Sequence, residues 1–288
     1  MPRPPMAAAK HAAHNAEQTA RATAVHPWSI RLARCGFATK GIVYLLIGVL
    51  AAQAAIGAGG KTTDNRGAIE TLYQQPFGRA LVAAIALGLF AYALWLFVAA
   101  LLDPERKGSD AKGAGTRLGS AALGCSYAAL GVVALTLVTQ GHSDAKSSDA
   151  ATQDWTATLL AHPFGDALVV LAGVAVLVVA GFFFFQAATA RFREQLDLGS
   201  ANRTERQWVV PLGRAGFAAL GVVDVIIGVF LILAALRHNP GEAKGMGSAL
   251  AAVAQRPYGS VLLGVVALGL VAYAAYTGAE ARYRRLVA

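Results

Sequence analysis

The sequence predicts an all-α polytopic membrane protein, with six transmembrane helices forming three tandem helical hairpins in a pseudo-threefold arrangement. Three observations predict it. Hydrophobic residues make up 56% of the 288 residues, Asp, Glu, Lys and Arg only 14%, and mean hydropathy is +0.50. A soluble domain carries about 25% charged residues, so this chain has too little charge to cover a water-facing surface. Second, six windows of about 20 mainly apolar residues are each long enough to cross a bilayer. Third, the chain repeats itself three times. The 10 Pro and 31 Gly are too few and too aperiodic for collagen-like or disordered classes.

Residues 1–27 are Ala-rich and polar, with Pro2, Pro4 and Pro5, and they lack the apolar core of a secretory signal. A disordered, uncleaved cytoplasmic tail is expected there. The apolar windows follow at 35–57, 77–102, 117–139, 164–188, 213–236 and 259–281. They divide the chain into a first repeat over 28–106, a second over 107–193 and a third over 194–288, with two helices in each.

The first helix of each copy carries Arg-x-Gly-x4-Gly-x6-Gly. The residues are Arg34, Gly36, Gly41 and Gly48, then Arg117, Gly119, Gly124 and Gly131, then Arg214, Gly216, Gly221 and Gly228. The second helix opens with Pro76-Phe77-Gly78, Pro163-Phe164-Gly165 or Pro257-Tyr258-Gly259, Pro being suited to a helix's first turn. Trp28 and Trp208 precede copies one and three, where an amphipathic ring suits the membrane interface. Before the second helix of each copy, Ala68–Gln75, Trp155–Ala161 and Ser248–Ala254 read as short interfacial helices capping the bundle.

Two helices per copy return the chain to its starting side, so the copies are parallel repeats about an axis along the membrane normal. Seventeen Lys and Arg lie on the side of the termini and seven on the other, with Lys40 inside a helix. The positive-inside rule then makes both termini cytoplasmic. The net charge of +9 fits this orientation, and no basic, aromatic-interleaved groove points to nucleic acid. The bilayer is the expected partner.

Gly41, Tyr44 and Gly48 fall within about 60° on one helix face. Gly124, Tyr127, Gly131 and Gly221, Asp224, Gly228 repeat the arrangement. Such stripes allow close backbone packing in lipid and shelter polar side chains. Asp224 lies about 16 Å into its span, near the midplane, where a carboxylate is costly and a functional candidate by default. Tyr44 and Tyr127 reach the same depth and could donate to it, and Lys40, one turn away, could reach it or snorkel to the interface. The layer then reads either as a satisfied structural cluster or as a proton or ion site. Glu280, level with Arg214, suggests a structural ion pair clasping copy three.

The triplicated Arg-x-Gly-Phe-x3-Gly helix, followed by Gln-Pro-Phe-Gly-Arg and Gly-Leu-x-Ala-Tyr, resembles the bacterial domain-of-unknown-function 1206 membrane family over roughly residues 25–285. The residues that carry it are Arg34, Gly36, Phe37, Gly41, Gln75 to Arg79, Gly88 and Tyr92, with Arg214, Gly216, Phe217, Gly221, Gly269 and Tyr273 in copy three. Copy two departs at Ala121 and Val179. The resemblance implies a bacterial inner-membrane protein of six helices and supplies no activity, catalytic residue or cofactor.

Chemical signals are weak. Ala55 to Thr62 fits a loose phosphate-loop pattern, but it ends a membrane helix where a phosphate loop joins a strand to a helix. Gly113 to Gly119 approximates a dinucleotide fingerprint without its strand. His142, His162 and His238 occupy three different loops, so no metal site is expected. No Gly-x-Ser-x-Gly elbow occurs. Cys35 and Cys125 lie in apolar segments at depths about 10 Å apart, and are expected to pack as small residues and not as a disulfide. The sequence thus points away from an enzyme and toward a structural or accessory membrane protein, with a small permease or proton pathway through the Asp224 layer as the alternative.

Overall fold

The computed structural model describes residues 27–102, 111–143 and 146–284. The tail expected over 1–27 lies outside them except for Pro27. Six long helices cross the molecule: α1 (Pro27–Ala55), α3 (Gly78–Leu102), α4 (Ala111–Gln140), α6 (Gly165–Thr189), α7 (Arg203–Leu236) and α9 (Gly259–Tyr283). All six are long and apolar enough to span a bilayer. Three short helices, α2 (Asn65–Tyr73), α5 (Ser148–Leu160) and α8 (Met246–Ala254), cover one end. That end is the distal face; α1 begins and α9 ends on the proximal face.

The spanning helices start earlier than the apolar windows where polar sequence continues the helix. For α7 the start is set by a capping box, Asn202 accepting from Glu205 N while Glu205 accepts from Asn202 N. Pro211 is accommodated inside this helix. The Pro-aromatic-Gly motif has a different role from the one its sequence suggested. Proline does not open the helix; the aromatic stands just before it, in the left-handed region, with φ of 62° at Phe77, 64° at Phe164 and 61° at Tyr258. The next glycine turns back onto the cap helix, where a Cβ would collide with carbonyls of Leu72, Leu159 or Ala254.

The three cap helices are tied together through their N-termini. The buried Asp64 carboxylate caps α2 by accepting from Gly67 N at 2.8 Å and reaches across to accept from Ser148 N of α5 at 2.7 Å. Asp149 of α5 accepts in turn from Gly245 N at 2.7 Å, ahead of α8. Each bond satisfies a backbone donor that a helix start leaves open. Ala68 and Ile69 of α2, with Ala249 and Leu250 of α8, bury their side chains against the spanning helices. The expected short cap helices are therefore present, and they begin a few residues earlier than their apolar stretches.

The spanning helices form a ring in the order α1, α3, α4, α6, α7, α9. Its most extensive interfaces join copies: α3 with α4, α6 with α7, and α9 with α1. Within copies, α1 packs on α3 and α7 on α9, but α4 and α6 have no extended contact. The ring is thus pseudo-threefold between copies and open within copy two.

Candidate functional site

The glycine seams build the three joints between copies. A Cβ on Gly41 or Gly48 would press into Thr277 or Val271 of α9, one on Gly124 or Gly131 into Phe97 or Phe90 of α3, and one on Gly221 or Gly228 into Phe184 or Leu177 of α6. Each first helix therefore packs its seam on the second helix of the preceding copy. Small residues permit that approach without a hydrophobic drive.

A polar and aromatic layer crosses the bundle at the seam. Lys40 Nζ donates to the Tyr273 hydroxyl at 2.6 Å and lies 5.0 Å from that ring's centroid and 6.0 Å from the centroid of Tyr92. The Tyr44 ring meets Tyr273 edge-on at 5.0 Å, and Tyr127 meets Tyr92 edge-on at 4.8 Å. The third equivalent pair is Asp224 with Val179. Asp224 is within electrostatic reach of Tyr44. None of Lys40, Tyr44 and Tyr127 hydrogen-bonds it, which corrects the expected polar contact. The tyrosines spend their rings on equivalent tyrosines of the preceding copy, and the lysine stem turns toward α9. Among the described residues neither Lys40 nor Asp224 belongs to an ion pair. Tyr92, Tyr127 and Tyr273 are buried, whereas Lys40, Tyr44 and Asp224 keep accessible surface.

The layer is closed above and below. On the proximal side Phe192, Phe217 and Tyr276 stack with centroids 4.9 to 5.4 Å apart, and Phe37 packs on Tyr92 at 5.2 Å. On the distal side Ile47, Ala51, Leu89, Ala134 and Leu270 are buried beneath the caps.

Copy two opens the side. Where Gly36 touches Tyr92 and Gly216 touches Tyr273, the equivalent Gly119 has nothing within 4 Å. Val179 and Phe182 of α6 are 45% and 55% exposed, against 5% and 3% for Tyr92 and Trp95 in copy one. The cause is local. Ser120 stands where copies one and three place the buried Phe37 and Phe217, and Ser126 where they place Val43 and Val223. Both hydroxyls fold back onto their own helix, to Thr116 O and Ala122 O. Helices in lipid are held by van der Waals packing, and α4 lacks the large side chain that packs its counterparts onto their partners. Ala121 aligns with Ala38 and Ala218, so of the two departures legible in sequence only Val179 marks the opening.

Two further expectations are corrected. Arg214 does not pair with Glu280. Its guanidinium donates to Ala187 O at 2.8 Å and Ala188 O at 2.6 Å, and Glu280 accepts from Arg284 at 2.6 Å. Arg117 likewise donates to Ala100 O and Leu101 O. In copies two and three the repeated arginine thus caps the end of the preceding copy's second helix, where open carbonyls and the negative dipole end favour a cation. Cys35 and Cys125 are free, as expected, but both are exposed on the outer surface of their helices instead of packing inside. The Ala55–Thr62 segment is an exit loop, with Gly57 and Gly59 at positive φ.

This geometry defines a multi-pass membrane protein assembled from three interlocked two-helix copies. The chain belongs to the family described as Domain of Unknown Function (DUF1206), which matches residues 35–103, 118–190 and 215–284, one segment for each copy. It is similar to the uncharacterized protein YxxB of Bacillus subtilis (strain 168), with 34% identity over 260 residues covering 90% of this chain and 93% of that protein. No solved structure matches it.

Proposed function

We propose that the protein is a non-enzymatic structural or accessory component of the bacterial inner membrane, with both termini cytoplasmic. The closure of the Lys40–Asp224 layer on both faces, by the Phe192–Phe217–Tyr276 stack and by the capped apolar half, carries this reading. A permease or proton pathway needs a hydrated route from the layer to both faces. The bias of Lys and Arg toward the proximal side supports the orientation. The test is reconstitution into liposomes under a pH gradient and under salt gradients. Flux should equal that of protein-free vesicles, for wild type and Asp224→Asn alike. Proton or ion flux in wild type that Asp224→Asn abolishes would overturn the accessory role in favour of the pathway.

A further inference from the structure

Three aromatic side chains stand at equivalent places on the distal face with their rings outside the core. Phe77, Phe164 and Tyr258 are each at least 85% exposed, and each lies in the left-handed region, which a bulky residue enters at a cost that glycine escapes. The cap helices set their positions. The N-termini of α2, α5 and α8 are bonded to one another through Asp64 and Asp149, so their C-termini diverge, and each aromatic follows at the turn into α3, α6 or α9. Those helices alternate around the ring, which spaces the three aromatics along the rim. The motif persists where packing does not. Copy two has Ser120 in place of Phe37 and Phe217 and Val179 in place of Tyr92 and Tyr273, yet it keeps the exposed Phe164. One turn beyond the aromatics, Leu81, Leu168 and Leu262 are exposed and begin the apolar outer faces of their spans. On α3 that face runs from Leu81 to the exposed Leu101, about 30 Å at 1.5 Å per residue, which is the thickness of a hydrocarbon core. Phe77, four residues earlier, lies about 6 Å outside it. On the other side of each ring the chain is polar, with Gln75, His162 and Arg256 exposed.

We propose that Phe77, Phe164 and Tyr258 anchor the protein in the distal leaflet, each ring seated at the boundary between acyl chains and headgroups, and together fix how deep the bundle sits. Glycine would satisfy the same turn without strain but would leave no ring in the interface. An aromatic ring is favoured at that level of a bilayer. The neighbouring charges fit the same depth. Arg79 and Arg256 are exposed within two residues of a ring, where lipid phosphates lie. Asp166, the only acidic residue so close to a ring in sequence, faces His238 at 3.0 Å. A lipid surface meets three rings spread around a rim at one level, whereas a protein partner meets a contiguous patch. This inference depends on the six spans and is independent of the accessory role.

The test reads depth with spin labels on the full chain in liposomes. In a Cys35→Ser/Cys125→Ser background, one nitroxide is placed at Phe77, Phe164 or Tyr258, with references at Lys61 in the exit loop and at the lipid-facing Leu87. At all three positions, access to oxygen relative to a water-soluble nickel chelate should exceed that at Lys61 by about threefold and stay below that at Leu87. A ratio equal to that at Lys61 would put the rings in water and overturn the proposal. Access to neither reagent would show a protein covering them, and would overturn it as well. A label at Leu81 then reads whether the rings set the depth. When myristoyl lipids are replaced by oleoyl lipids, which form a thicker bilayer, its ratio should hold in the otherwise unchanged background and in Phe77→Trp/Phe164→Trp/Tyr258→Trp. In Phe77→Ser/Phe164→Ser/Tyr258→Ser the proximal Trp28 and Trp208 still hold their end, so the distal end should sink and the ratio should rise about twofold. An equal rise with and without the rings would show that they share this depth without fixing it, and would overturn the anchoring. The single-label depths decide the placement even if the serine variant folds poorly.

Discussion

Lys40 of α1 donates to the Tyr273 hydroxyl of α9 at 2.6 Å, joining copy one to copy three across the most polar level of the bundle. The bond is asymmetric in what each partner leaves behind. Tyr273→Phe strands an ammonium with no acceptor, and hydrogen bonds to charged groups contribute about 1.5–3 kcal/mol. Lys40→Met removes the charge along with the bond and keeps the stem's packing. Thermal unfolding in detergent should therefore show a clear loss for Tyr273→Phe and a smaller one for Lys40→Met. Equal losses would mean that the ammonium has another acceptor.

Glycine-to-alanine substitutions read the opening directly. An alanine Cβ at Gly36 would lie 2.5 Å from Tyr92 Cβ, and one at Gly216 would lie 2.6 Å from Tyr273 Cα, whereas at Gly119 it meets nothing within 4 Å. Overpacking of this kind costs about 1–3 kcal/mol, while alanine in an open helical position gains up to about 1 kcal/mol over glycine. Gly36→Ala and Gly216→Ala should lower the thermal midpoint, and Gly119→Ala should hold or raise it. Destabilisation by Gly119→Ala would show that α4 and α6 are packed together.

How far the fold could be read in advance follows from what a repeat encodes. The recurrences of Arg34, Gly41 and Gly48 in copies two and three state that three equivalent helices exist and which face of each is smooth. They do not state which neighbour that face meets, because a first helix in a ring has a second helix on either side. Gly48 settles on Val271 of copy three, a contact fixed only when the ring closes. The Asp224 depth was legible from helix rise, but its partners were not, since the tyrosines at the same level prefer ring contacts with Tyr92 and Tyr273. Arg214 and Glu280 share a level, and level alone suggested a pair; the unfilled carbonyls of Ala187 and Ala188 were closer claims on the guanidinium. The opening is written in the sequence at Ser120, aligned with Phe37 and Phe217, and at Val179, aligned with Tyr92 and Tyr273.

Arg214 should matter through α6 and not through Glu280. Its two donated bonds satisfy carbonyls that the helix end leaves open, and a charge at a helix C-terminus adds about 0.3–1 kcal/mol. Arg214→Ala should reduce stability by about 1–2 kcal/mol on these bonds. Arg214→Lys should recover only part of it, because an ammonium lacks the fork that reaches two carbonyls. In a double-mutant cycle with Glu280→Gln the two effects should add within about 0.5 kcal/mol. A coupling above 1 kcal/mol would restore the ion pair that the structure replaces.

Asp224 reverses an expectation drawn from sequence. An acid held by two tyrosine hydroxyls would tolerate Asn better than Leu, because Leu strands both donors. Among the described residues no donor hydrogen-bonds it, and Tyr44 and Tyr127 have ring partners of their own. Removing the carboxylate then relieves a desolvation cost and leaves nothing unsatisfied, as when buried polar groups give way to apolar ones of similar volume. In lipid-free detergent Asp224→Leu should accordingly match or exceed the wild-type midpoint, with Asp224→Asn between them. A loss of stability in Asp224→Leu without lipid would mean that the carboxylate has a protein donor after all.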